Sequence, residues 1–136
     1  MSNTLRLQIV TPNGTAYSED VDMVTLPGVE GEMGIYPNHV PLMTQLVAGE
    51  VSARKGGQNY FLAVGVGFVQ VTGTHVSILT DMAIGADQID EAKADEARKR
   101  AEARLSEKLE DEEVAAINAS LAHSLAQLKV KRRQQR

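Results

Sequence analysis

Few side chains in this sequence have the types and spacings that support catalysis or metal binding. The chain contains no cysteine, which excludes a thiolate nucleophile, a thiolate metal site and a disulfide. Its three histidines, His39, His75 and His123, lie far apart, and none has a second histidine at the spacing of paired metal ligands. The G-x-S-x-G pattern of a serine nucleophile is also absent from the sequence. We therefore expect no catalytic residues and no metal site.

Two glycine-containing stretches do not have the features of a phosphate-binding loop. The run Gly65-Val66-Gly67 lacks the third glycine and the following helix of a dinucleotide-binding turn. Residues 28–34 are glycine-rich but include Glu30 and Glu32, whose charge is wrong for holding an anion. Residues 1–87 carry three basic and eight acidic side chains, which argues against a β domain that binds nucleic acid. The basic C-terminal end could contact phosphates only nonspecifically.

The elements that carry these residues fall into two units. All 11 glycines, all four prolines and all the aromatic residues precede Ala86 in the 136-residue chain. The net charge is −5 over residues 1–87 and +1 over residues 88–136, counted on the same sequence. We predict a boundary near residues 84–88, with an N-terminal domain at 1–86 and a C-terminal domain at 87–136.

Overall composition is typical of a globular chain, with 43% hydrophobic and 24% charged residues. No apolar run approaches the roughly 18 residues that a membrane-spanning helix needs. The first ten residues lack the basic and then apolar order of a secretory signal. We therefore expect a cytoplasmic protein.

The first unit has the pattern of an all-β domain. Residues 5–9 alternate apolar and polar side chains, the period of a half-buried strand, and Thr11 to Gly14 supply turn chemistry. Turn signals recur roughly every 8–12 residues, the spacing typical of a β-sandwich or barrel. Within a strand-like stretch at 59–71, Gly65 and Gly67 indicate a bulge or a close approach of another backbone. We predict an N-terminal β-sandwich or flattened barrel.

The second unit has the pattern of two helices. Asp87 is placed to cap the first helix, with Asp90 in the capping-box position three residues later. Small residues line one face of the first helix, and the second carries a stripe at helical spacing formed by Val114, Ile117, Leu121, Leu125 and Leu128. The link at 106–110 has no glycine or proline, so it fits a tight antiparallel turn or one continuous long helix. We predict a C-terminal two-helix antiparallel hairpin.

One segment carries more specific information. Residues 31–42, Gly-Glu-Met-Gly-Ile-Tyr-Pro-Asn-His-Val-Pro-Leu, resemble the G-E-x-G-I-x-P-x-H-x-P-L loop of the epsilon subunit of F-type ATP synthases, bacterial type. The resemblance extends along the chain, through the glycine-containing strand at 64–71 and the start of the helical hairpin at 89–94. The resemblance implies a β-sandwich followed by a helical hairpin. The residue patterns described above predict the same fold.

The resemblance implies a non-catalytic rotor subunit that couples proton-driven rotation to ATP synthesis. Its implied partners are the gamma subunit and the ring of c subunits, and its implied location is peripheral, on the cytoplasmic face of the cell membrane. The loop at 32–41 matches the part that would face the ring, with Glu32 and His39 as candidate polar contacts and Tyr36 as a further partner-binding candidate. The alternative interpretation is a loop that is simply rigid, with Gly34 giving backbone freedom and two prolines giving stiffness.

The resemblance also implies regulation by the helical arm. An extended arm would insert beside gamma and inhibit ATP hydrolysis in the alpha–beta catalytic head, where four basic residues would meet acidic loops: Lys129, Lys131, Arg132 and Arg133. The alternative interpretation of this basic end is a solubilising, frayed terminus. Burial of the few large apolar side chains of the second helix gives at most about 10 kcal/mol before ordering entropy is subtracted, so we predict weak docking.

Some members of the family bind a regulatory ATP on the hairpin through an I-D-x-x-R-A motif. Ile89, Asp90 and Ala94 match that motif here, and Arg100 could reach a phosphate. Lys93 stands where the motif has arginine, and lysine lacks the planar fork that grips a phosphate with two hydrogen bonds. No other cofactor is implied.

Two other classes of function remain open from the residues alone. A free-standing adaptor would use the sandwich as a receptor domain and the helices as a coiled-coil arm for another assembly. A small β-domain enzyme would need a cleft with clustered titratable groups, for which the sequence offers no pattern.

Overall fold

The computed structural model describes residues 3–105 and 111–134, which form ten strands, one 3₁₀ turn and two helices. The strands are β1 Leu5–Thr11, β2 Gly14–Val21, β3 Met23–Gly28, β4 Gly31–Ile35, β5 Leu42–Leu46, β6 Gly49–Lys55, β7 Gln58–Val64, β8 Gly67–Val71, β9 His75–Thr80 and β10 Ala83–Gly85. The 3₁₀ turn is Ala86–Gln88, and the helices are α1 Glu91–Leu105 and α2 Asp111–Gln134. The predicted fold class is confirmed: a nearly closed β-sandwich precedes a pair of helices.

The strands are hydrogen-bonded in the order β10-β7-β6-β3-β5-β8-β9-β1-β2, and β4 pairs with β3 beside this path. Among these pairs, β1 and β9 run parallel and the others antiparallel. The alternation predicted at residues 5–9 is confirmed, because Leu5, Leu7 and Ile9 are buried and the two residues between them are exposed. These three side chains join inward-facing residues of the other strands in one continuous core.

The stretch predicted as one strand at 59–71 is two strands, β7 and β8, separated at Gly65 and Val66. The predicted close approach of another backbone is confirmed at Gly67, whereas Gly65 is approached by side chains. A Cβ atom at Gly67 would collide with the backbone carbonyl of Leu79. A Cβ atom at Gly65 would collide with the carboxylate of Asp81 and would lie 2.7 Å from Nε2 of His123 on α2.

The first helix begins one turn later than predicted. Asp90 caps α1, because its Oδ1 accepts a hydrogen bond from the backbone N–H of Lys93 at 3.1 Å. The prediction of Asp87 as the cap is wrong, since this residue lies in the 3₁₀ turn that precedes α1. The local reason is that Ile89 is extended and buried against the sandwich, so helical backbone starts only after it.

The two helices are separate and pack against each other, which favours the predicted hairpin over one continuous helix. Arg104 near the end of α1 lies 3.6 Å from Glu113 in the first turn of α2, measured from Nη2 to Oε2. The link predicted at 106–110 lies outside the described residues. α2 contacts both α1 and the strands β6 and β7.

The predicted apolar stripe on α2 is only partly correct. Leu128 is buried, but Leu125 is 47% exposed. Two small residues that the stripe omits, Ser124 and Ala126, are buried instead, together with Val130. The reason is that α2 lies between a helix and a sheet, so it buries two rows of side chains rather than one.

Candidate functional site

The helical arm, α1 and α2 together, docks on the sandwich through a small apolar contact. Ala126 and Val130 of α2 pack in one cluster with Ala63 of β7, Ala86 and Ile89. Partly buried Phe61, Met82 and Ile84 surround this cluster. Since most of these side chains are small, the contact buries little apolar area and supplies a modest free energy of docking.

Polar contacts follow the same face of α2 at intervals of four residues. Nε2 of His123 lies 3.1 Å from Oδ2 of Asp81, in the connection between β9 and β10. One turn later the amide of Gln127 lies 3.9 Å from the sulfur of Met82, and one turn after that Nζ of Lys131 donates to the carbonyl oxygen of Ala86 at 3.5 Å. These contacts fix the rotation of α2 on the sandwich.

The last turn of α2 ends on a partly buried acidic residue. Nε of Arg133 lies 2.9 Å from Oε2 of Glu50, and the side chain of Glu50 is only 10% exposed. The guanidinium group of Arg133 also lies over the ring of Phe61, 5.5 Å from its centroid. Burial raises the pKa of Glu50, and the positive charges of Arg133 and Lys129 oppose that rise.

The four basic residues predicted to meet partner subunits therefore lie in the docked part of the arm. Arg133 is paired with Glu50, Arg132 lies 3.5 Å from Glu91, and Lys131 bonds a backbone carbonyl. Lys129 is exposed. A partner that engages Arg133 has to compete with the contacts this residue makes within its own chain.

The segment 31–42 does not form one loop, because its first five residues are strand β4. Glu32 is exposed on β4 and pairs in register with Pro27. Tyr36, which is 62% exposed, and His39 follow β4 at its other end. Glu32 thus lies at one end of the strand, and Tyr36 and His39 lie at the other.

The connection between β4 and β5 is held by hydrogen bonds, in agreement with the rigid-loop interpretation, but Gly34 lies within β4 and does not have a positive φ, so its predicted role in the loop is wrong. Asn38 has a positive φ of 67°, and its N–H donates to the carbonyl oxygen of Gly73 at 2.8 Å. Nδ1 of His39 donates to the carbonyl oxygen of Val40 at 2.7 Å, with the tautomer inferred from this contact. The connection is therefore tied to the turn between β8 and β9.

At the Glu32 end, two turns present valine side chains. Val29, in the turn between β3 and β4, is 52% exposed, and Val47, between β5 and β6, is 39% exposed. The two turns are joined because the N–H of Val29 donates to Gln45 O at 3.1 Å and that of Val47 donates to Pro27 O at 2.9 Å. We call Val29, Glu32 and Val47 the turn surface.

Sequence reasoning missed an apolar surface on the outer side of β5, β8 and β9. Met43 is 68% exposed, Phe68 54% and Leu79 59%, and Phe68 pairs in register with Leu79. These three residues, which we call the outer patch, border a groove of about 240 Å³. One signal was available: Phe68-Val69 and Ile78-Leu79 are apolar at consecutive strand positions, so one side chain of each pair must face outward.

The residues matched to the nucleotide motif lie at or just before the start of α1, except Arg100, which lies further along that helix. Ile89 is buried in the cluster under α2, Ala94 is buried and Asp90 caps its helix. Arg100 borders a different groove of about 210 Å³ between the helices. Lys93 is exposed near the start of α1.

Within residues 3–105 and 111–134, no group of three or more histidine and acidic side chains is arranged to hold a metal ion. In the same ranges, no helix combines the length and the apolar character needed to cross a membrane.

Two known family descriptions match the two parts of this architecture. Residues 4–86 match the family described as ATP synthase, Delta/Epsilon chain, beta-sandwich domain. Residues 87–132 match the companion description, ATP synthase, Delta/Epsilon chain, long alpha-helix domain. The chain belongs to this family of ATP synthase subunits.

The relatives specify which of the two chains it resembles. The chain is 47% identical over 127 residues to the ATP synthase epsilon chain of Dehalococcoides mccartyi, covering 93% of this chain and 91% of that one. It is 40% identical over 129 residues to the ATP synthase epsilon chain of Desulforamulus reducens, covering 95% and 98%. The resemblance inferred from residues 31–42 is confirmed, and the chain is grouped with non-catalytic epsilon subunits of the F-type ATP synthase.

Solved structures share the fold. A chain of the Euglena gracilis mitochondrial ATP synthase, in a structure of OSCP, F1 and c-ring, matches with a TM-score of 0.79 and 23% identity, covering 95% of this chain and 81% of that one. A chain of the Tetrahymena thermophila mitochondrial ATP synthase central stalk and c-ring matches with a TM-score of 0.59 and 12% identity, covering 93% and 96%. At these identities the matches support the fold alone.

Proposed function

We propose that this chain is a rotor subunit of the central stalk, which couples proton-driven rotation to ATP synthesis. The sandwich, residues 1–86, is the docking domain, and residues 87–136 form a regulatory arm. The complex lies at the membrane, and we place this subunit on its cytoplasmic face as a peripheral component. The observation that carries the proposal is the outer patch, since a water-exposed Met43, Phe68 and Leu79 on a rigid sheet are suited to a partner surface.

The outer patch is proposed to bind the gamma subunit. Its side chains are large, adjacent and free of charge, and aromatic and methionine side chains are enriched in interface cores. The strands beneath it are fixed by the main core, which includes Val69 and Ile78 next to the exposed residues. The patch is therefore preorganised and loses little conformational entropy on binding.

Substitution Phe68→Asp tests this assignment. We expect binding of the full-length chain to a gamma-containing subcomplex to weaken at least about 30-fold, because a central aromatic contact is replaced by a charge that must be desolvated. The matched control is Tyr60→Asp, an aromatic on β7 that is 45% exposed and lies outside the outer patch. Equal loss for both variants, or no loss for Phe68→Asp, would contradict the proposal.

The turn surface is proposed to contact the ring of c subunits. It combines apolar tips with the carboxylate of Glu32, and it lies at the end of β4 opposite to Tyr36 and His39. The His39 end is hydrogen-bonded to the turn between β8 and β9 and is close in sequence to Met43. We therefore propose that Tyr36 and His39 extend the contact with gamma.

Single-cysteine cross-linking separates these two contacts, since the chain has no native cysteine. We expect Glu32→Cys to form adducts with c subunits in the assembled complex and His39→Cys to form adducts with gamma. Tyr60→Cys serves as the control that forms neither adduct. The same partner for both positions would contradict the assignment of opposite ends.

We further propose that release of the arm inhibits ATP hydrolysis. The docking contact is small, and the basic side chains of its last turn are well suited to acidic loops of the alpha and beta subunits. In the docked state Arg133 is occupied by Glu50, so docking and inhibition exclude each other.

A further inference from the structure

The last turn of α2 covers a carboxylate that belongs to the sandwich. The side chain of Glu50, the second residue of β6, is 10% exposed, whereas Arg133 opposite it is 48% exposed. Two other charged groups act on Glu50: Lys129, one turn earlier on α2, and Glu32 on β4. Among the residues that the structure describes, Arg133 is the cation in ion-pair contact with Glu50, at 2.9 Å.

Docking the arm over Glu50 has opposing effects. Removing a carboxylate from water is costly, and an ion pair repays that cost only in part. Here burial has the largest influence on the pKa of Glu50 and raises it, although Arg133 and Lys129 both favour the charged form. Arg133 thus offsets the cost of covering Glu50, but the ion pair itself adds little to the free energy of docking. Removal of Arg133 alone would leave a covered and unpaired carboxylate.

We propose that Glu50 makes docking of the arm conditional on Arg133, so that an acidic partner surface which captures Arg133 also expels the arm from the sandwich. The carboxylate acts as a release element built into β6. This release rests on the proposed function only in the choice of an acidic partner, because the dependence of docking on Arg133 is a property of the isolated chain. Capture of one side chain would then release the end of α2, including the buried Val130.

The neighbouring residue shows what distinguishes Arg133. Arg132 carries the same charge on the same turn and lies 3.5 Å from Glu91, with side-chain exposures of 60% and 36%. An exposed pair of this kind contributes little to stability. Substitution of Arg132 removes the same charge but leaves no covered carboxylate unpaired. It is therefore the matched control.

A single thiol at a position covered by docking reports release in the full-length chain. Ala126→Cys places it in α2, where the native side chain is 5% exposed, and Ala53→Cys places it in the sandwich core as a control for global opening. The rate of reaction with a small disulfide reagent then follows the population of the open state. Each reporter is combined with Arg133→Gln, Glu50→Gln, both substitutions, and Arg132→Gln.

We expect Arg133→Gln to raise the labelling rate of the Ala126→Cys reporter about tenfold, because it leaves Glu50 unpaired. Glu50→Gln should leave the rate unchanged or lower it. The double variant should return to within about threefold of the parent, since it removes both charges. Arg132→Gln should stay within about twofold. The Ala53 reporter should not respond to any of these substitutions.

Three results would overturn the proposal. The first is a rate for Arg133→Gln within twofold of the parent. The second is a double variant as fast as Arg133→Gln, which would assign the effect to the contact with Phe61 instead. The third is equal acceleration at Ala53, which would mean that the sandwich itself opens. Failure of the chain to join a synthase would reject the proposed function and leave these rates unaffected.

Discussion

Truncation after Asp87 is expected to raise the rate of ATP hydrolysis by the assembled synthase about threefold or more, while the complex still assembles. The reason is that the arm, α1 and α2, carries the proposed inhibitory contact. The outer patch on β5, β8 and β9 and the turn surface both belong to the sandwich and remain intact. The main core also consists of sandwich residues, so loss of the arm removes only the smaller cluster under α2.

The measurement compares steady-state hydrolysis by complexes containing full-length or truncated chain, with subunit composition verified for each. Val130→Asp provides a control of opposite sign: it frees the arm by placing a charge in the buried docking cluster and keeps the basic side chains of the last turn, so it should lower hydrolysis where truncation raises it. Unchanged hydrolysis on truncation, with assembly verified, would count against an inhibitory arm. Loss of the complex on truncation would show that the arm serves assembly.

The sandwich was predictable because strand periodicity is a local property of the sequence. Residues 5–9 alternate apolar and polar side chains, and the structure buries the apolar ones. Closely spaced glycines likewise predicted a close approach at Gly65 and Gly67, although the residues that approach them could not be known. Those residues, Leu79 and Asp81, are distant in sequence from the glycines and are brought near only by the pairing of β8 with β9.

The helices were predictable as elements, but their faces were not. Asp87 and Asp90 are equivalent as capping residues by local pattern, and burial of Ile89 against the sandwich selects the second. The stripe that included Leu125 assumed one buried face. Because α2 contacts both α1 and the sheet, small residues such as Ala126 are buried and Leu125 is left exposed.

The candidate site was likewise only partly predictable from local sequence patterns. The family resemblance in residues 31–42 identified the class of protein, but treating that segment as one contact joined Glu32 with His39, which β4 separates. The ion pair of Glu50 with Arg133 links residues 83 positions apart, and no local pattern indicates it. The outer patch had a local signal in consecutive apolar residues, yet a fully buried strand gives the same signal, so exposure had to come from the fold.

Gly67→Ala is expected to destabilise the sandwich by about 3 kcal/mol or more. The added Cβ would collide with the carbonyl oxygen and carbon of Leu79, which are backbone atoms of the paired strand β9. A flexible side chain could rotate away, but this carbonyl can move only if the pairing of β8 with β9 is disturbed. That pairing holds Val69 and Ile78 in the core, so the substitution lowers the free energy of unfolding of the whole domain.

Urea unfolding of the full-length chain measures this effect, and two other glycines provide contrasts. At Gly34 the nearest atom to an added Cβ is the terminal carbon of Met23, at 3.7 Å, an ordinary contact, so Gly34→Ala should change stability by less than about 1 kcal/mol. At Gly65 the collision is with the side chains of Asp81 and His123. Gly65→Ala should therefore loosen α2 more than it destabilises the sandwich. If Gly67→Ala unfolds at the same urea concentration as Gly34→Ala, the close contact between Gly67 and Leu79 does not limit the stability of this domain.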